Sequence, residues 1–182
     1  TAAPREAYHH GDLRSALLDT GLRLLRSRTA DDLSLRELAR EVGVSAAAIY
    51  RHFPDKGALM AALAREGLER LATAQRQATR AAGGGGAGFL ASGMAYVRFA
   101  VEHPALFRLI MTTKAPESAF SPNVSLVSPA ARQLRDNIRD LLPPDASEEQ
   151  QRMAAIHAWS LVHGMAMLML DGQLPLRTRS ST

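Results

Sequence analysis

Leu33 to Leu59 reads LSLRELAREVGVSAAAIYRHFPDKGAL, and this stretch decides the fold. Ser34 is followed three positions later by Glu37, the spacing of a capping box. There a serine oxygen accepts from an exposed helix N–H, and the glutamate reaches back to the serine N–H. Leu33 and Leu38 stand at the two staple positions around it. Leu35, Leu38, Ala39 and Val42 follow at i, i+3, i+4 and i+7, which predicts a helix of about two turns with one apolar face. Gly43 sits where a helix end calls for a positive φ. Ser45 caps a second short helix, with Val44 and Ile49 at its staple positions. Pro54 denies Phe53 the α region, so that helix stops early. Asp55 caps a third start, and Leu59, Leu63, Leu68 and Leu71 mark the inner stripe of a long helix running from Lys56 towards Arg80.

Two short helices joined by Gly43-Val44-Ser45 make a helix-turn-helix. The tight turn holds the second helix clear of the body, so that its N-terminal half can enter a major groove. Ser45, Ala46, Ala47 and Arg51 fall on or near the exposed face, while Ile49 and Phe53, four apart, face the core. Many enzymes also contain helix pairs with glycine turns, so spacing alone leaves catalysis open. The rest of the chain does not support it. No glycine-rich phosphate loop follows a strand, no nucleophile sits in an elbow, and no paired carboxylates stand out.

Composition bounds the remaining choices. The chain has 182 residues and no cysteine, which excludes zinc ribbons, iron–sulfur ligation and thiol nucleophiles and agrees with a reducing cytoplasm. No cofactor or metal is expected; His157 and His163, six apart, fall on different helix faces and are not a metal pair. Basic residues number 22 against 18 acidic, a charge of +4 that permits nucleic-acid binding without arguing for it. Thr1 to His10 is polar, so no secretory leader is expected there. Met153 to Leu170 runs without a formal charge, at the lower edge of a membrane span. It contains His157, Ser160, His163 and Gly164, so a soluble helix buried on nearly every side is expected, with no membrane partner.

Strand signals are nearly absent, and the chain reads as all-α. A first helix is expected from Asp12 to Arg28 with Leu13, Leu17, Gly21 and Leu24 on one face. Gly83-Gly84-Gly85-Gly86 predicts a flexible joint. Beyond it, Leu90, Met94, Val97 and Val101 mark a helix, and Pro104 starts another through Phe107 and Ile110. Lys114 to Val127 reads as a long loop, and Ser128-Pro129 as the start of a helix with Leu134, Ile138 and Leu141 inside. Ser147 with Gln150 is a weaker capping box for the last helix, which reaches Leu170. The expected division is a DNA-binding domain at 1–56, a long connecting helix at 57–82 and a glycine-rich linker at 83–88. A ligand-binding and dimerisation domain follows at 89–172, with a disordered tail at 173–182.

Leu33 to Leu59 closely resembles the DNA-binding signature of the TetR/AcrR family of transcriptional regulators, and Tyr8-His9-His10-Gly11-Asp12-Leu13-Arg14 is similar to the opening of many members. His103 to Leu109 (HPALFRL) and Ala158 to Gly164 (AWSLVHG) resemble the subgroup with a WHG-type ligand-binding domain. The resemblance implies an all-helical, cytoplasmic homodimer that binds a palindromic double-stranded operator and is released by a small-molecule effector. Rival readings are a constitutive DNA binder and a helical interaction protein without a ligand switch.

Carried over residue by residue, the resemblance makes Ser45, Tyr50, His52 and Lys56 phosphate contacts, with Lys56 acting beside a helix N-terminus. Arg36 matches a position that often reaches a guanine, where a guanidinium fork fits O6 and N7. For Tyr50 the alternative is a ring packed between helices, and for Lys56 a solvated cation. Ala46 and Ala47 depart from the more polar residues of relatives; they can touch thymine methyls only, so readout leans on Arg36, Arg51 and DNA shape. Residues 1–56 carry nine bases and eight acids, 9 − 8 = +1, a modest grip that calls for a symmetric dimer. An N-terminal arm with Arg5, His9 and His10 either assists or is disordered. Phe99, Phe107, Met111, Trp159 and His163 are the expected effector contacts, and Leu134, Ile138, Leu161, Met165 and Met169 the expected dimer seam. For the methionines, plain core packing is the alternative.

Overall fold

A computed structural model describes residues 10–113 and 129–174, which form eight α-helices and no strand among them. In order these are α1 (His10–Leu24), α2 (Leu35–Val42), α3 (Ala46–Tyr50), α4 (Lys56–Ala81), α5 (Gly85–Glu102), α6 (Pro104–Thr112), α7 (Pro129–Arg139) and α8 (Glu148–Leu170). The arm residues Arg5 and His9, the side chain of His10, the expected loop from Lys114 to Val127 and the Ser128 cap lie outside the described residues.

Local chemistry sets the first three helices. Ser34 Oγ accepts from the Glu37 N–H at 3.2 Å, but the Glu37 carboxylate does not complete the box: it pairs with Arg28. A tertiary ion pair has taken the group that local sequence assigned to the cap. Gly43 closes α2 at φ 78°, with Val44 N–H donating to Ala39 O at 2.9 Å, as a left-handed cap requires. Ser45 caps α3 by accepting from Ala48 N–H, and Asp55 caps α4 by accepting from Ala58 N–H. Leu17, Leu38, Ile49, Phe53, Leu59 and Leu63 are fully buried where these elements meet. Each such side chain contributes roughly 1.5–3 kcal/mol by leaving water.

Helix α4, about 39 Å long at the usual rise, runs along one continuous core that joins these elements to the rest of the chain. It packs on α1 at its start and on α5, α6 and α7 beyond. Two glycines allow the close approaches: a Cβ on Gly21 would lie 2.9 Å from Leu63, and one on Gly67 2.8 Å from Ile110. Beyond the first helices the same core takes in Tyr96, Phe99 and Ala100 of α5 with Leu106, Phe107 and Ile110 of α6.

Four expectations need correction. The glycine run is not a flexible joint. Gly83 and Gly84 make a turn at positive φ, and α5 already starts at Gly85, folding back along α4 with Gly88 against Thr79. Residues 85–88 are therefore helix despite their poor propensity, and of them Gly88 alone is buried, against Thr79. On α5, Leu90 and Met94 point outward, while the small residues Gly88, Ser92 and Ala95 face in, because α4 lies too close for leucine. Helix α8 is not buried on nearly every side. Only Ala155 and Ala166 are buried, whereas Leu161, Met165 and Leu168 are exposed and His157 lies at the surface. By length and composition α8 would suffice to cross a membrane, with a mean hydropathy of 1.5 over its most apolar window. Finally, Ile138 lies inside the chain as its helix pattern predicts, which takes it out of the expected seam, whereas Leu141, also expected inside, is exposed. At the end of α8, Gln173 and Leu174 donate back to Leu168 O, so order extends past residue 172; residues 175–182 lie outside the described residues.

Candidate nucleic-acid interface

Helix α3 is five residues long, and its two sides divide sharply. Ala48 and Ile49 are buried, while Ser45, Ala46, Ala47 and Arg51 are exposed. Tyr50 is 44% exposed, which removes it from the helix interior and leaves its hydroxyl in water. Arg36 on α2 is exposed, and His52 is half-buried. The sequence-derived set thus comes from α2, α3 and the start of α4, exposed except for the half-buried His52. Behind it, the Arg14 guanidinium stands 5.4 Å from the centre of the Phe53 ring, a cation–π contact that ties α1 to the end of the α3 turn.

Lys56 is exposed but not idle: its ammonium donates to the Asp31 carbonyl at 2.6 Å. That carbonyl belongs to a braced turn. Thr29 donates from its hydroxyl and its N–H to the Asp32 carboxylate at 2.7 and 3.1 Å, which holds that carboxyl below its usual pKa range. One of three ammonium donors is used here, leaving two for an outside acceptor. The Asp55 carboxylate already occupies the start of α4, so Lys56 brings its own charge more than a bare helix dipole.

Residues 17–63 match the family described as bacterial regulatory proteins, tetR family. Residues 89–182, more than half of the chain, match the tetracyclin repressor-like C-terminal domain. The chain belongs to the TetR family. It is accordingly a DNA-binding transcriptional regulator. Among solved structures it is similar to a protein with unknown function from Rhodococcus sp. RHA1, at 34% identity and TM-score 0.73, covering 93% of this chain and 89% of that one. A possible TetR family transcriptional regulator from Streptomyces coelicolor shares 23% identity over 89% of this chain and 73% of its own, with TM-score 0.63. TetR from Acinetobacter baumannii AYE shares 18% identity over 94% and 82%, with TM-score 0.62, and these last two show the fold alone.

In this TetR family regulator the expected effector residues separate into two places. Phe107, Trp159 and His163 come together: His163 stacks on Trp159 with ring centres 5.0 Å apart and lies 6.0 Å from Phe107. Tyr96 joins them, edge-on to Phe107 and hydrogen-bonded through its hydroxyl to His163 Nδ1 at 3.0 Å. Burial pushes the Tyr96 phenol well above its usual range and His163 below its own, so both are neutral at physiological pH. Met111 is half-buried against the main core. Phe99 instead meets His103, 4.9 Å away, and lines a groove that includes none of the other four. Sequence reading missed Tyr96, although Tyr96, Phe99, Ala100 and His103 follow i, i+3, i+4, i+7. The apolar spacing of Leu90, Met94, Val97 and Val101 drew the expected stripe to a different face.

Proposed function

We propose that this regulator binds a palindromic operator as a cytoplasmic homodimer and represses transcription until a small-molecule effector releases it. The observation that carries the DNA-binding face is the division of α2 and α3. Arg36, Ser45, Ala46, Ala47, Tyr50 and Arg51 lie outside while Ile49 and Phe53 are fully buried behind them. In this reading Arg36 reaches a base edge, and Lys56, with Tyr50, His52 and Ser45, holds phosphates. The dimer seam is the stripe Leu161, Met165 and Leu168 at i, i+4, i+7, flanked by half-buried Leu134; Met169 supports it from the core side. The effector site is the cluster of Tyr96, Phe107, Trp159 and His163, suited to an apolar or aromatic molecule with one polar handle.

A mobility-shift titration on the protein's own upstream DNA tests the first part. Arg36→Ala should cost about 1–3 kcal/mol on the operator and much less on random duplex. Lys56→Ala should weaken both and flatten the salt slope by about one unit. Equal losses on both duplexes for Arg36→Ala would demote it to a backbone contact. An effector that binds, quenches Trp159 fluorescence and leaves operator affinity untouched would replace the switch with a constitutive binder.

A further inference from the structure

A groove of about 520 Å³ opens where α1, α4, α5 and α6 meet, sharing no residue with the Tyr96–Trp159 cluster. Its volume falls within the range of small-molecule sites. The floor is apolar and closed: Leu22, Phe99 and Leu106 are each buried to 6% exposure, and Ala74 and Ala78 of α4 leave room above them. The rim is cationic. Arg26, just after α1, and Arg98 of α5 are exposed, and their guanidiniums make no hydrogen bond or ion pair among the described residues. Neighbouring arginines behave differently. Arg23 pairs with Glu41, Arg28 with Glu37, Arg108 with Asp171, and Arg70, also on this rim, with Asp19 and Glu66. Glu102, the one acid among the lining residues, makes no ion pair with Arg98 among the described residues although it lies four residues on.

We propose that this groove is a second small-molecule site, for an amphipathic organic monoanion. A carboxylate is held between the Arg26 and Arg98 guanidiniums, whose planar forks match its two oxygens. The apolar body of the molecule covers Leu22, Phe99 and Leu106. Glu102 repels a second negative charge, so dicarboxylates and phosphate esters are disfavoured. Arg26 belongs to the DNA-reading head and Arg98 to the regulatory body, so the bound anion bridges the two across α4. Such a ligand favours the arrangement in which both arginines reach it. This goes beyond the effector site proposed above and does not depend on it.

Calorimetric titration of the full chain with 2-naphthoate tests the site, with 2-naphthylmethanol as the neutral control. Naphthoate should bind saturably, and the alcohol about tenfold more weakly or worse. Arg26→Gln and Arg98→Gln, both at exposed positions, should each weaken naphthoate by about tenfold without changing thermal unfolding or alcohol binding. Trp159→Phe should leave naphthoate affinity unchanged. Affinity that survives the double arginine variant but falls in Trp159→Phe would place the anion in the aromatic cluster and overturn the proposal. Absence of saturable heat up to roughly 1 mM would overturn it too. No DNA enters the measurement, so its outcome is separate from operator binding.

Discussion

The DNA-reading head and the regulatory body treat their apolar side chains differently. In the head, Leu17, Leu33, Leu38, Ile49 and Phe53 are fully buried, and Tyr50 is the one exposed large hydrophobic among its described residues. In the body, Leu90 and Met94 of α5 and Leu161, Met165 and Leu168 of α8 all remain outside. The head covers its large apolar side chains within the chain, and its described surface is mostly charged, with acids nearly balancing bases. The body is well packed along α4 to α6 yet carries a face that one chain does not cover. A helix pattern can thus locate an apolar stripe without saying whether the cover is the same chain or another.

The contrast can be broken most directly at Ile49. Ile49→Ala should destabilise the head by about 2–5 kcal/mol, read by urea unfolding, because the side chain is fully buried between short helices. A cost under about 1 kcal/mol would mean that the head is loosely packed and not self-sufficient. A smaller effect separates the caps. Ser45→Ala removes the acceptor for Ala48 N–H and should cost about 1 kcal/mol. It should also weaken operator binding, since α3 has only five residues to hold its shape. Ser147→Ala at the start of the 23-residue α8 should cost a similar amount and leave DNA affinity unchanged. The smallest effect on folding should come from Leu161→Arg. That side chain is 69% exposed, so the single chain should change by about 0.5 kcal/mol or less, while sedimentation should shift from dimer to monomer. A wild-type chain that sediments as a folded monomer would remove the seam altogether.

These differences follow what the sequence made legible. Ser34, Gly43, Ser45, Asp55 and Ser147 act within three or four residues of themselves, and each takes the place its local chemistry predicts. The Ser147–Gln150 box is fully made, whereas the better-looking Ser34–Glu37 box is half made because Arg28, nine residues upstream, claims the carboxylate. Gly83 to Gly86 misled for a similar reason. Composition gives the entropy cost of glycine, but the α4–α5 turn uses the positive φ of Gly83, Gly84 and Gly85, and small size matters at Gly88, where α5 meets Thr79. On the outer face of the head, exposure follows directly from the burial of Ile49 and Phe53. For the effector residues no such rule operated. Phe99 and Phe107 lie eight apart on different helices, and only the fold assigns one to the groove and the other to the cluster.

Helix α3 spans Ala46–Tyr50, about 7.5 Å at the usual rise. Stacked base pairs are about 3.4 Å apart, so this helix lies alongside roughly two to three of them. Six specified positions in a two-fold site would recur by chance about once in four thousand base pairs, far too often to single out a promoter. Addressing in this regulator must therefore be distributed. In the proposed dimer, the distance between two heads and the pliability of the unread bases between them would carry information that no residue of α3 can.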